Sequence, residues 1–412
     1  MSEVIVVIYY FLFILAFLYG TYFGITGLFG FKNYHKSMFG RHKPKHKFGI
    51  IIAGRNEEKV IPALVQSLQK QRYPEDLYEI FVVPNNCTDD TAGVAKKAGA
   101  TVIECKVPVK VKADALAYTF EYLKPRKDLD AYIIFDADNL VHPEFLARMN
   151  DALCEGAEVC QCFRDAKNMS DNWLTGSYTL FYFIQNFFFN RARMNFSGSA
   201  AINGTGFMIK KDIVKDGFKT YTLTEDSEFT GQCALKGIKV SFVEEAITFD
   251  EHPQSFWASW KQRKRWTSGT LSCLKLYGGR LLKNFFRTGN IACFDMFMMY
   301  SAPIAVVLSF LLSVVLFIFH IFGIQLSDFF SYLYASGLLF FVIFYISNVA
   351  VNIFVVKYNK KKISSIFSGI ILFSLFLATW IPINIVCLFK KTESWEEIKH
   401  DRSDVKIDEL LK

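Results

Sequence analysis

Between Val4 and Phe31 the chain runs for 28 residues without an Asp, Glu, Lys or Arg. At ~1.5 Å per residue a helix of that length crosses the ~30 Å hydrocarbon layer of a bilayer with tilt. It is too long for the apolar core of a signal peptide, and no small-residue cleavage site follows it. Lys32, Lys36, Arg41, Lys43, Lys45 and Lys47 come next, with no acidic residue among them. Juxtamembrane cations stay cytosolic, so the N-terminus is expected outside and the following domain in the cytosol. Three further charge-free runs, Met296 to Ser327, Phe329 to Val356 and Ile363 to Phe389, are each long enough to span. Lys357, Lys360, Lys361 and Lys362 mark a second cytosolic turn.

Hydrophobic residues make up 52% and aromatics 17%, above the soluble norm, so a mixed soluble and membrane protein is expected. Nine cysteines show no disulfide or zinc spacing, and reduced cytosolic thiols agree with the orientation. The net charge of +8 does not point to nucleic acid. Its cations cluster beside apolar runs, which suits anionic membrane lipids and sugar-nucleotide phosphates.

From Phe48 to about Val243 strand-like and helix-like segments alternate. Phe48 to Ala53, Glu79 to Val83, Thr101 to Glu104 and Ala131 to Phe135 read as strands. Lys59 to Gln71, Thr88 to Gly99 and Lys112 to Leu123 read as helices. This predicts an α/β fold with an open, mainly parallel sheet and a ligand crevice at the strands' carboxyl ends. Asn85 and Asp136 fall there.

Three polar clusters carry chemistry. Asp136-Ala137-Asp138 ends a buried strand, where the chain breaking into a loop lets one carboxylate face a ribose and the other a divalent cation. Mg²⁺ or Mn²⁺ takes few protein carboxylates, completes its shell with phosphate oxygens and neutralises a departing diphosphate. A polar turn capping a helix is the plainer reading of that triplet. Thr224-Glu225-Asp226 opens a helical stretch, where carboxylates serve as caps or dipole partners. Inverting sugar transfer also needs a base for the acceptor hydroxyl, and Asp226 is the candidate. Gln262-Arg263-Lys264-Arg265-Trp266 lies on an amphipathic stretch from Phe256 to Leu276. Arg265 can fork onto a diphosphate, Trp266 offers a flat face to a sugar ring, and Gln262 supplies an amide for hydroxyls. A membrane-surface helix with snorkelling cations is the alternative. The aromatic stretch Trp173 to Asn195 reads as core packing, with a sugar path or membrane surface as alternatives.

Arg55-Asn56-Glu57, Asn85-Asn86-Cys87-Thr88-Asp89, Lys112-x-x-Ala115-Leu116, Asp136-x-Asp138, Thr224-Glu225-Asp226 and Gln262-x-x-Arg265-Trp266 occur in one order. That order resembles the processive family-2 inverting glycosyltransferases, the cellulose, hyaluronan, chitin and poly-N-acetylglucosamine synthases. It covers roughly Phe48 to Tyr277, and the single span before it looks most like bacterial poly-N-acetylglucosamine synthases. The resemblance implies a Rossmann-like nucleotide-sugar domain of GT-A type. Asp136 and Asp138 would hold the metal and diphosphate, Lys112 would lie near the phosphates, and Glu57 near the ribose or uracil. Asp226 would be the base. Arg265 would hold the diphosphate, while Gln262, Trp266, Glu225 and Thr205 of the Asn203–Gly206 loop would serve the acceptor. Trp395 would belong to a loop closing over nucleotide. Asn85 stands where the family carries an Asp at the uracil, though an amide still donates and accepts.

The expected organisation is a transmembrane helix at 1–31, a basic cytosolic linker at 32–47 and a cytosolic glycosyltransferase domain at 48–255. Amphipathic interface helices follow at 256–290, transmembrane or interfacial helices at 291–389, and a cytosolic tail at 390–412. Four full spans would place Trp395 outside, so 363–389 is expected to lie partly in the interface. The expected activity transfers sugar from a UDP-sugar, UDP-N-acetylglucosamine before UDP-glucose, to a growing β-glycan with secretion. Accessory secretion or modification proteins are further expected partners. Single addition to a lipid-linked or short acceptor is the alternative. An inactive membrane subunit binding nucleotide or polymer is the alternative of another class.

Overall fold

The computed structural model of the protein describes residues 2–32, 37–196, 198–322, 337–390, 392 and 405–411. The strands are β1 (Phe48–Gly54), β2 (Tyr78–Pro84), β3 (Thr101–Val102), β4 (Ala131–Asp136), β5 (Leu140–Val141), β6 (Val159–Ala166), β7 (Phe207–Lys210) and β8 (Val240–Asp250). The helices before the sheet closes are α1 (Ser2–Leu28), α2 (Ile61–Gln69), α3 (Thr91–Lys97), α4 (Lys112–Leu123), α5 (Phe145–Cys154), α6 (Trp173–Ile184), α7 (Ala192–Phe196) and α8 (Glu225–Lys236). After it come α9 (Phe256–Thr288), α10 (Ile291–Ile321), α11 (Gly337–Tyr358), α12 (Phe367–Ala378), α13 (Trp380–Phe389) and α14 (Ile407–Leu410). A π-helical stretch, Gln185–Arg191, joins α6 to α7.

The strands form one sheet in the order β3-β2-β1-β4-β7-β6-β8-β5. β1 pairs in parallel with β2 and β4, β2 with β3, and β6 with β8. β7 runs against both β4 and β6, and β5 against β8, so the expected mainly parallel sheet is mixed. The cause lies in the connection to β7. The loop before it meets the carboxyl end of β4, where Gly206 N donates to Ile134 O, so β7 enters there and returns antiparallel. Gly206 has φ 63°, and a Cβ there would lie 2.2 Å from Cys162 Sγ.

Alternate residues of β1 and β4 face opposite ways, as a pleated strand requires. Ile51 and Ile134 pack with Leu116 and Phe120 of α4, while Ile50, Ile52 and Phe135 pack with Leu64 of α2 and Phe145 of α5. Each fully buried side chain of this size contributes about 1.5–3 kcal/mol. Helix α3 begins three residues later than Thr88, because Asp89 Oδ1 accepts from the N–H and hydroxyl of Thr91 and holds 88–90 as a turn. The aromatic stretch is mainly core, with Tyr178, Phe183 and Phe187 buried.

The expected interface helices at 256–290 are one helix, α9. Ser255 Oγ caps its start, and Gly289 at φ 71° ends it. The last apolar run is not one straight helix. Arg263 donates to Phe376 O at 3.3 Å and to Thr379 Oγ1 at 2.6 Å, and α12 gives way to α13 there. α12 packs on α6, where a Cβ added to Gly369 would lie 2.7 Å from the Gly176 carbonyl carbon. α13 packs on α9 through Thr267 and Asn384. Among the described residues, Val7–Phe31, Ile291–Phe319 and Ile363–Phe389 are long and apolar enough to cross a membrane, and Val342–Tyr358 is a shorter apolar helix.

Buried ion pairs fasten these helices to the sheet domain. Arg193 pairs with Asp295 of α10 at 2.8 Å, and Tyr22 of α1 donates to the same carboxylate at 2.7 Å. Arg191 and Tyr358 of α11 both reach Glu244. Lys361 meets the buried Asp165 at 2.7 Å. Removing one partner of such a pair strands the other charge, so these contacts fix arrangement more than they add stability. At the far end Ile407 packs with Leu140 and Phe249, and Lys70 lies 2.5 Å from Asp408.

Candidate active site

The register of β1, β2 and β4 brings Gly54 beside Pro84 and Ala53 beside Asp136. The segments that follow these strands therefore open into one crevice. Asn56 and Asn86 turn there at φ 58° and 49°, a conformation asparagine tolerates better than most residues. Two adjoining cavities occupy the crevice, of about 150 Å³ and about 220 Å³. The first is lined by Arg55, Glu57, Asn85, Asp138 and His252, the second by Glu225, Asp226, Trp266, Gln185 and Met299. Lys112, Asp136, Arg164, Tyr182, Gln262 and Arg265 line both.

The first cavity is built on hydrogen bonds behind its wall. Asn139 Nδ2 donates to Asp250 Oδ1 at 2.9 Å and to Asp138 Oδ1 at 3.3 Å. The other Asp138 oxygen accepts from Glu251 N at 3.3 Å. Arg164 Nε donates to Asp250 Oδ2 at 2.5 Å. Asn85 has its amide engaged: Nδ2 donates to Gly54 O at 3.0 Å, and Oδ1 accepts from Arg55 Nη2 at 3.2 Å. Thr205, expected at the acceptor, is fully buried behind the carboxylates. Its hydroxyl accepts from Asp136 N at 2.9 Å and donates to Asn139 Oδ1, while Asn203 and Gly204 of the same loop line the second cavity. Trp395 lies outside the described residues.

Charge is organised around Lys112. Its ammonium donates to Asp136 at 2.6 Å and to Gly204 O at 2.8 Å, and stands 3.7 Å from Glu225. Burial alone would lower the Lys112 pKa, but Asp136 and Glu225 raise it above its ordinary value. Asp136 is held below its ordinary value: burial alone would raise it, but Lys112, Arg164 and Arg265 together outweigh that effect. Burial pushes Glu225 up to about 7 and Asp226 above its ordinary value. It also pushes Asp250 up to about 6 and His252 down to about 3.

Among the described residues His252 Nε2 is buried without a hydrogen-bond partner, on the wall that also carries Asp138. An unsatisfied buried ring nitrogen costs about 1–3 kcal/mol. A neutral imidazole beside a carboxylate suits a divalent cation. Among the described residues no three His, Cys, Asp or Glu side chains gather into a closed metal site. Two protein ligands, with the rest of the shell from diphosphate and water, fit a cation of the Mg²⁺ or Mn²⁺ type. The sequence reading missed His252, Asp250, Arg164, Asn139 and Gln185, and reached Tyr182 only within the aromatic stretch, where a sugar path was an alternative to core packing. Asp250-Glu251-His252 closing a strand was the one local signal, a polar triplet like Asp136-Ala137-Asp138.

The sheet and the paired cavities define a glycosyltransferase of the GT-A fold. Residues 44–269, more than half of the chain, match the family described as Glycosyltransferase like family 2, and the chain belongs to that family. It is 25% identical over 395 residues to the probable glycosyltransferase YdaM of Bacillus subtilis (strain 168), covering 90% of this chain and 89% of that one. It is 24% identical over 277 residues to the β-monoglucosyldiacylglycerol synthase of Trichormus variabilis, covering 65% of this chain and 58% of the synthase. The mannosyltransferase PcManGT of Pyrobaculum calidifontis, solved with GDP-Man and Mn²⁺, shares the fold at TM-score 0.58 and 15% identity. That match covers 88% of this chain and 99% of the other.

Proposed function

We propose that the chain is a membrane-bound inverting transferase that moves sugar from a UDP-sugar to a growing β-linked glycan at the cytosolic face. UDP-N-acetylglucosamine is the first donor and UDP-glucose the second. The observation that carries this reading is the meeting of two cavities at Lys112 and Asp136, with Asp138 and His252 on one side and Asp226 on the other. A donor in the first cavity presents its anomeric carbon toward the second. Asp226 takes the acceptor hydroxyl's proton as the oxygen bonds to that carbon on the face opposite the diphosphate. The bond from the anomeric carbon to the phosphate oxygen breaks, its electron pair leaves with the diphosphate, and configuration inverts. A divalent cation held by Asp138 and His252 would neutralise the leaving diphosphate. Lys112 and Arg265 add positive charge there, while Gln262 and Trp266 hold the acceptor sugar. Glu57 and Asn85 serve the nucleoside. Uridine rests on the order of the motifs.

A second reading, single addition to a membrane lipid, is favoured by Met299. This residue of α10 lines the acceptor cavity, so that cavity adjoins a helix apolar enough to cross a membrane. The glucolipid synthase named above belongs with this reading. Purified protein incubated with each UDP-sugar, and with GDP-mannose, in Mn²⁺ or Mg²⁺ separates the cases once the product is sized. Polymer supports the first reading, a single added sugar on lipid the second, and transfer from GDP-mannose alone removes uridine.

A further inference from the structure

His252 is fixed in an unusual way. Its backbone is clamped by Asn168, which accepts from His252 N and donates to His252 O, each at 2.9 Å. Among the described residues its buried Nε2 makes no hydrogen bond. A metal-binding imidazole is ordinarily oriented by donating its second N–H to a carboxylate, a carbonyl or water. Here two tyrosines of α6, one helical turn apart, lie against the ring. The His252 ring is 5.5 Å from Tyr178 at an interplanar angle of 26°, and 5.5 Å from Tyr182 at 15°. Both are offset stacks, an arrangement aromatic pairs favour. Tyr178 is itself pinned, its hydroxyl 3.0 Å from Ser259 Oγ. Tyr182 carries the Arg164 guanidinium over its ring at 4.0 Å, and lines both cavities.

We infer that Tyr182, together with Tyr178, is a positioning residue for the metal site, setting the plane of the His252 imidazole by stacking. This rests on the proposed metal role of His252 and goes beyond it. Because Tyr182 also walls the acceptor cavity, the same ring ties metal geometry to acceptor occupancy. The ring face does this work and the hydroxyl does not, which separates the role from a hydrogen-bonded one.

The test uses the full chain in detergent, with Mn²⁺ affinity in the presence of uridine diphosphate read from the free-Mn²⁺ paramagnetic resonance signal. Thermal unfolding serves as the control for folding. Tyr182→Phe is expected to keep Mn²⁺ affinity within about twofold, while Tyr182→Leu weakens it about tenfold, the lower end for residues that orient a ligand. His252→Ala weakens it at least as much. Wild-type affinity in Tyr182→Leu, with His252→Ala impaired, overturns the inference and leaves the metal reading standing. Wild-type affinity in His252→Ala overturns both. A tenfold loss in Tyr182→Phe assigns the role to the hydroxyl and also overturns the inference. Should Tyr182→Leu fail to fold, Tyr182→Met, unbranched and better able to fill the site, takes its place. Its affinity is then read as that of Tyr182→Leu would have been.

Discussion

The ammonium of Lys112 lies 2.6 Å from the Asp136 carboxylate and 3.7 Å from Glu225, so one buried cation stands where the two cavities meet. Lys112 and Asp136 approach from different elements, the first turn of α4 and the end of β4. Glu225 and Asp226, on the wall of the second cavity, both feel the Lys112 charge.

Asp138→Asn should abolish transfer and weaken Mn²⁺ and nucleotide-sugar binding together, because it removes the charge of a proposed metal ligand. Chelation of wild type should reproduce the loss. Calorimetry with and without metal, beside a transfer assay, checks this, and full activity in excess chelator contradicts it.

Asp226→Asn should keep nucleotide affinity and melting temperature, yet lower transfer by at least about 10²-fold, the lower range for a lost general base. Asn caps a helix about as well as Asp, so a purely capping residue would show almost no change. Near-normal synthesis removes Asp226 from its role, and joint loss of binding and stability marks it as structural.

Glu225 governs a stability trend with pH. Burial raises its carboxyl to about 7 in the folded chain, above its value when unfolded. The folded protein thus holds a proton that the unfolded chain releases, and this contribution is present at low pH and lost as pH rises toward 7. Glu225→Gln removes the titration. Its melting temperature should gain on wild type between pH 5 and pH 8, measured without metal. A constant difference across that range contradicts the assignment.

Gly369→Ala tests the seat of α12. The added Cβ would sit 2.7 Å from the Gly176 backbone and 3.0 Å from Ser177 N, so the helices must part. Overpacking of this kind costs about 1–3 kcal/mol. A lowered thermal midpoint is expected, and an unchanged one means α12 is not held against α6.

Membrane orientation is tested by cysteines at Ser37, Asn359 and Asp408. Short basic loops resist translocation, and Lys361 and Asp408 both contact the sheet domain. A reagent confined to the outside of intact cells should label none of the three. Labelling of Asp408→Cys alone would mean the tail lies outside the membrane.

The sequence by itself determined most of the elements and the polar clusters that line the cavities. Uncharged runs, alternating apolar segments and the Asp136, Asp226 and Gln262-to-Trp266 clusters are local signals, since helix period, strand burial and loop polarity act over a few residues. Helix Lys112–Leu123 follows directly from its pattern. The placement of Thr205 does not. Nothing local distinguishes a threonine facing a cavity from one buried against Asn139, because that depends on which strand β7 joins. The mixed sheet, the break at Thr379 and the tyrosines on His252 share this character. Each depends on partners 70 to 116 residues apart in sequence. Contacts between distant segments leave no period in the chain, so only the packed tertiary structure could decide them.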